Sequence, residues 1–141
     1  MARLDPALLD DWCKVVEGIS HFNYVVWKAS QDRALSLLEL ELQAEIDKFV
    51  STARLAEEQG DAELGRNLHR WLFEEVRFRS DLDAVERARY RSANDYAARY
   101  CRGFAATSGA ANCDDAVLAE LRRFYRLPMH DKISAIHSRA W

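Results

Sequence analysis

Residues 31–60, QDRALSLLELELQAEIDKFVSTARLAEEQG, decide the fold. Ser30 can cap a helix that reads through Gln59 and stops at Gly60. Leu35, Leu38, Leu42, Ile46, Phe49, Val50, Ala53 and Ala56 make its main apolar stripe, mostly at spacings of three and four. Leu37, Leu40, Ala44 and Leu55 form a shorter stripe on the opposite side. A helix apolar on two sides is either enclosed within its own bundle or shared with another chain. Running from 31 to 59 it would span about 43 Å, long for a chain of 141 residues.

The flanking segments carry the same period. Asp5-Pro6 reads as a helix start, with aspartate as cap and proline at the first helical position. Leu8, Trp12, Val15, Ile19, Phe22, Val26 and Ala29 then alternate at four and three, one stripe that continues if Gly18 only weakens the helix. Asp61 restarts a helix with Leu64, Leu68, Trp71, Leu72, Val76 and Phe78. Ser80 can cap a further helix over 81–104, with Leu82, Val85, Ala93, Tyr96, Ala97, Tyr100 and Phe104 on one face. The loop 105–112, AATSGAAN, precedes a short helix that opens at Asn112 or Cys113 and ends at Leu127-Pro128. A last helix carries Met129, Ile133, Ile136 and Ala140. The expectation is an all-α fold: an antiparallel bundle of five or six helices, one long (about 31–59), forming a single domain over 1–141.

Composition narrows the class. Pro and Gly together number seven, too few for many short strands with their turns. The longest uncharged stretches, 18–27 and 103–113, fall short of the roughly 20 apolar residues of a spanning helix. Asp5, Asp10, Asp11, Lys14 and Glu17 stand where a signal peptide needs an apolar core. Three unpaired cysteines, Cys13, Cys101 and Cys113, suit a reducing compartment, so a cytoplasmic protein without a membrane segment is expected.

Catalytic and cofactor patterns are sparse. The residues three before His21, His69, His130 and His137 are Gly18, Arg66, Leu127 and Ser134, so no Glu-x-x-His pair exists. No two histidines are four apart, and no cysteines have zinc spacing. His130 and His137 flank the inward side of the last helix and read as partly buried structural groups. The run 60–65 has the outer glycine spacing of a phosphate loop, but Arg66-Asn67 replaces the Lys-Ser/Thr pair. Ser20-His21-Phe22-Asn23 lacks the acidic neighbour and downstream proline of a phospho-acceptor box. Neither a metal nor a cofactor is expected.

Charge is uneven about a net −3: residues 31–63 carry three bases against nine acids, and 77–102 carry seven arginines against four acids. Arg66, Arg70, Arg77, Arg87, Arg91, Arg99 and Arg102 fall on the polar sides of two adjoining helices and are candidates for an anionic partner. The expected function is a non-enzymatic protein-interaction module of adaptor, chaperone or regulatory-subunit type that forms a homodimer and binds another protein. The alternative is a nucleic-acid-binding regulator using the arginine face, and a third is an enzyme or ligand-binding protein with an undetected site. The dimer face is assigned to Leu37, Leu40, Ala44 and Leu55, unless residues 1–30 or the C-terminal helices cover that stripe within one chain. Glu75 and Arg89 sit among apolar positions of neighbouring helices and are expected to form a partly buried ion pair.

Overall fold

The computed structural model describes residues 5–75, 78–107 and 115–138. They form α1 (Pro6–Ser30), α2 (Leu37–Glu58), α3 (Ala62–His69), α4 (Ala84–Thr107), α5 (Asp115–Arg126) and α6 (Met129–Ser138). No strand occurs among the described residues, and the class is all-α. No described helix is long and apolar enough to cross a membrane.

Local capping explains where each helix begins. Asp5 accepts the Leu8 N–H at 2.9 Å, and α1 then runs unbroken through Gly18. The expected long helix starts later than Ser30 suggested. Ser36 accepts the Glu39 N–H at 3.1 Å while Glu39 accepts the Ser36 N–H at 3.1 Å, a reciprocal box that fixes the start at Leu37. That leaves 22 residues of helix rather than the whole of 31–59. Gly60, at φ 65°, supplies the left-handed turn after α2, a conformation costly for other residues.

The helix expected over 61–78 is also shorter. Asp61 caps it, but after His69 the backbone widens into a π-helical turn, Arg70–Glu74, closed by Glu75 N–H to Arg70 C=O at 3.0 Å. Asp83, rather than Ser80, caps α4 by accepting the Glu86 N–H at 2.7 Å. Residues 105–107 belong to α4, and the remainder of the expected loop lies outside the described residues, as does Cys113.

Side-chain bonds give the helix directions. Trp12 donates to Thr52, Ser20 to Asp47 and Lys28 to Glu39, so α1 ascends as α2 descends. His69 meets the Ala98 carbonyl and Asn94 donates to that of Phe73, which sets α3 and its π turn antiparallel to α4. The apolar core joins Leu42, Ile46, Phe49 and Ala53 of α2 to Leu68, Leu72, Phe73, Ala97, Tyr100 and Phe104. Phe124 of α5 and Ile136 of α6 complete it, with Phe124 stacked on Tyr100 at 4.1 Å between centroids.

Helix α1 is turned the opposite way from a core-facing amphipathic helix. Leu8, Val15, Ile19, Phe22, Val25 and Val26 are 44–69% exposed, whereas Leu9, Cys13, Ser20, Tyr24 and Lys28 are buried. The side of α2 that meets α1 explains this orientation. It presents Glu39, Gln43, Asp47 and Thr52, buried or half-buried polar groups that need partners, and α1 supplies them from its own polar side.

Candidate functional site

The polar seam between α1 and α2 contains two clusters of different character. In the first, Lys28 Nζ donates to Glu39 Oε1 at 2.8 Å, Tyr24 donates to the same oxygen at 3.3 Å, and Lys132 of α6 donates to the Tyr24 hydroxyl at 2.7 Å. All four side chains are buried, Tyr24 and Lys132 completely. Lys132 Nζ also lies 4.6 Å from the centre of the Tyr24 ring and 5.3 Å from that of Phe124. Burial pushes the Lys132 ammonium down to about 7; Glu39 opposes this, Lys28 adds to it, and Asp47 opposes it. Burial works to raise Glu39, but hydrogen bonds from Lys28 and the Ser36 N–H outweigh it and hold that carboxyl below its usual range. Burial and the Glu39 charge push the Tyr24 phenol far above its usual range.

Nearer the middle of α1, Ser20 donates to Asp47 Oδ2 at 2.6 Å and Gln43 donates to Oδ1 at 2.9 Å. Burial still raises the Asp47 carboxyl, against both hydrogen bonds. The second cluster lies beside this bridge and comprises Glu17, His21, Glu41, Glu45 and Lys48. Lys48 Nζ bonds Glu45 Oε1 and stands 4.0 Å from Glu17 Oε2. His21 Nε2 lies 3.6 Å from Glu41 Oε2. Glu41 is buried yet makes no hydrogen bond, and the enclosed His21 Nε2 has none either. One ligand atom each from Glu17, His21 and Glu41 lies within 4.8 Å of the others. Burial raises Glu41 and Glu45; His21 and Arg89 counter it at Glu41, and Lys48 counters it at Glu45.

Sequence reading missed this second cluster although a signal was present. Glu17 and His21 are four apart, as are Glu41 and Glu45, and that spacing puts each pair on one helix face. The cluster has neither Glu three before His nor paired histidines, so the common metal-site spacings do not mark it.

Other expected site residues are dispersed. Ala44 is fully buried, Leu40 and Leu55 are half-buried, and only Leu37 is well exposed. These four positions therefore do not form one exposed face. α2 is enclosed within the chain, because α1 packs on one side of it and α3 and α4 on the other. Arg66, Arg87, Arg91 and Arg102 are exposed and make no ion pair among the described residues. Arg70 faces Glu75 at 3.4 Å, Arg99 bonds the His137 carbonyl, and Arg77 lies outside the described residues. His130 and His137 are exposed rather than partly buried.

Glu75 and Arg89 do not pair. Glu75 is exposed beside Arg70, and Arg89 is half-buried with its Nε unbonded. The π turn is the reason. Each of its bonds spans five residues rather than four, so Glu75 is rotated away from the face that a regular helix would give it.

Compared with protein-family models, curated proteins and solved structures, the chain matches none.

Proposed function

We propose that the chain is a non-enzymatic interaction module that associates with a second copy of itself through the outward face of α1. The observation that carries this reading is the stripe Val15, Ile19, Phe22 and Val26, with Leu8 and Val25 beside it, all large, apolar and exposed. A scattered apolar residue needs no explanation, but a stripe sustained over several turns marks an interaction surface. Its spacing of four, three and four is that of a helix-on-helix seam.

Three features favour a second copy as the occupant. The outward face carries no charge from Val15 to Val26, so nothing on it selects a partner of opposite sign. Of the charges before it, Lys14 and Asp10 pair with each other at 2.7 Å, which leaves Asp11 as the one charge between Leu8 and Val15 on this side. Gly18 lies within the face, and a Cβ there would meet nothing within 4 Å. Glycine inside a helix costs roughly 0.5–1 kcal/mol against alanine, and no intrachain packing at Gly18 offsets that. An antiparallel crossing centred between Gly18 and Ile19 gives the position a purpose, because each Ile19 then rests on the partner's glycine and Val15 meets Phe22.

Disulfide trapping tests this arrangement. Ile19→Cys on the surface is expected to oxidise to a covalent dimer well above the wild-type background, whereas Leu37→Cys on α2 is not. Equal trapping at both positions, or none at Ile19→Cys, contradicts it. A second reading, nucleic-acid binding, has the four exposed and unpaired arginines in its favour and the net charge of −3 against it. Retention on a nucleic-acid column that falls steeply with salt would favour that reading.

A further inference from the structure

We propose that Glu17, His21 and Glu41 bind one divalent transition-metal ion of the zinc or manganese class. Glu17 and His21 project from one face of α1, four residues apart, and the antiparallel α2 brings Glu41 opposite them. Around a single ion at 2.0–2.2 Å, donor atoms stand about 3–4 Å apart. The three donors here lie within 4.8 Å of one another, with His21 Nε2 and Glu41 Oε2 already at 3.6 Å.

What separates this cluster from an ordinary buried polar network is that two of its members, His21 and Glu41, make no hydrogen bond. Tyr24, Lys28, Glu39 and Lys132 all have hydrogen-bond partners within their cluster. Glu41 is different: its side chain is only 7% exposed, it makes no hydrogen bond, and its one ion-pair contact among the described residues is with the His21 ring at 3.6 Å. The His21 Nε2 atom is enclosed and equally unpartnered. Buried polar atoms are nearly always satisfied, and the exceptions in native structures call for an explanation such as an ion. The local cations do not supply one: Lys48 is engaged with Glu45 and reaches only Glu17, and Arg89, whose charge acts on Glu41, makes no ion pair with it among the described residues. A divalent ion between Glu17, His21 and Glu41 satisfies both orphaned groups at once and compensates the carboxylates that burial otherwise penalises.

The donor chemistry fixes the class of ion. One imidazole with two carboxylates suits zinc, iron or manganese, whereas calcium and magnesium prefer all-oxygen sets. Three protein donors leave a position for water. The inference does not depend on self-association, since all three ligands come from one chain.

The test is calorimetric titration of zinc chloride into chelator-stripped full-length protein, with magnesium chloride as comparison. One equivalent of zinc is expected to bind saturably, with little heat from magnesium. His21→Gln and Glu41→Gln are each expected to weaken zinc binding at least tenfold, and exposed His130→Ala to leave it unchanged. Glu41→Gln removes an unpartnered buried carboxylate at nearly constant shape, so that variant is expected to fold, as circular dichroism will show. Zinc should raise the melting temperature of the wild type and not of either variant. Absence of a saturable site overturns the proposal, as does binding that survives both substitutions or is lost with His130→Ala.

Discussion

Lys132 shows how far a single side chain's surroundings can depart from what its letter suggests. Nothing in the sequence distinguishes it from a solvated lysine; only the docking of α6 against α1 places it over the Tyr24 and Phe124 rings with no exposed surface. Its titration predicts a pH dependence of stability. Between about 7 and the ordinary 10.5, the unfolded lysine holds a proton that the folded one has released. Stability therefore rises with pH across that window, by up to about 1.4 kcal/mol per unit, and the full cost of burial is present below it. Above 9.0 the buried Cys13 and Cys101 work in the opposite sense, because burial pushes both thiols up and only the unfolded ones ionise. Urea titrations from pH 7 to 9 should show the rise, and Lys132→Met should flatten it; the same slope in both proteins would contradict the assignment. Tyr24→Phe removes the oxygen that accepts from Lys132 and should cost about 1–3 kcal/mol at neutral pH. A loss below about 0.5 kcal/mol would show that the hydroxyl is not a needed partner.

At the scale of elements, periodicity marks each of the six described α-helices, and their boundaries differ from it where capping chemistry or a change of helix type intervenes. The Ser36–Glu39 box is readable as a serine with glutamate three residues on, but the apolar pattern begins before it and makes Ser30 an equally plausible cap from sequence. The π turn at Arg70–Glu74 left no comparable mark, since its residues continue the apolar spacing of α3. Helix α1 offers a prediction at this scale. Gly18→Ala meets open space within the chain and should stabilise the isolated protomer by about 0.5–1 kcal/mol through helix propensity. In the proposed dimer the added methyl occupies the place of the partner's Ile19, so association should weaken. Denaturation at low concentration and sedimentation at high concentration measure the two effects separately. An unchanged dimer with a stabilised protomer would exclude a crossing at Gly18.

For the whole molecule, the bundle was legible and the direction of its first helix was not. A 3.6-residue period shows that Leu8, Val15, Ile19, Phe22 and Val26 share a face, but it carries no information on whether that face meets the core or solvent. The choice is made by α2, whose Glu39, Gln43, Asp47 and Thr52 require polar partners and take the opposite face of α1. For the same reason the dimer face assigned to Leu37, Leu40, Ala44 and Leu55 is covered within the bundle except at Leu37, while the extended exposed apolar stripe lies on α1. Sedimentation velocity across a range of concentrations shows whether this surface joins two copies. The wild type should sediment as a dimer of the 16.3 kDa chain, and Phe22→Glu, at a position 69% exposed, should be a folded monomer. A wild type that remains monomeric at every concentration, or a Phe22→Glu variant that dimerises as the wild type does, would contradict the proposed dimer.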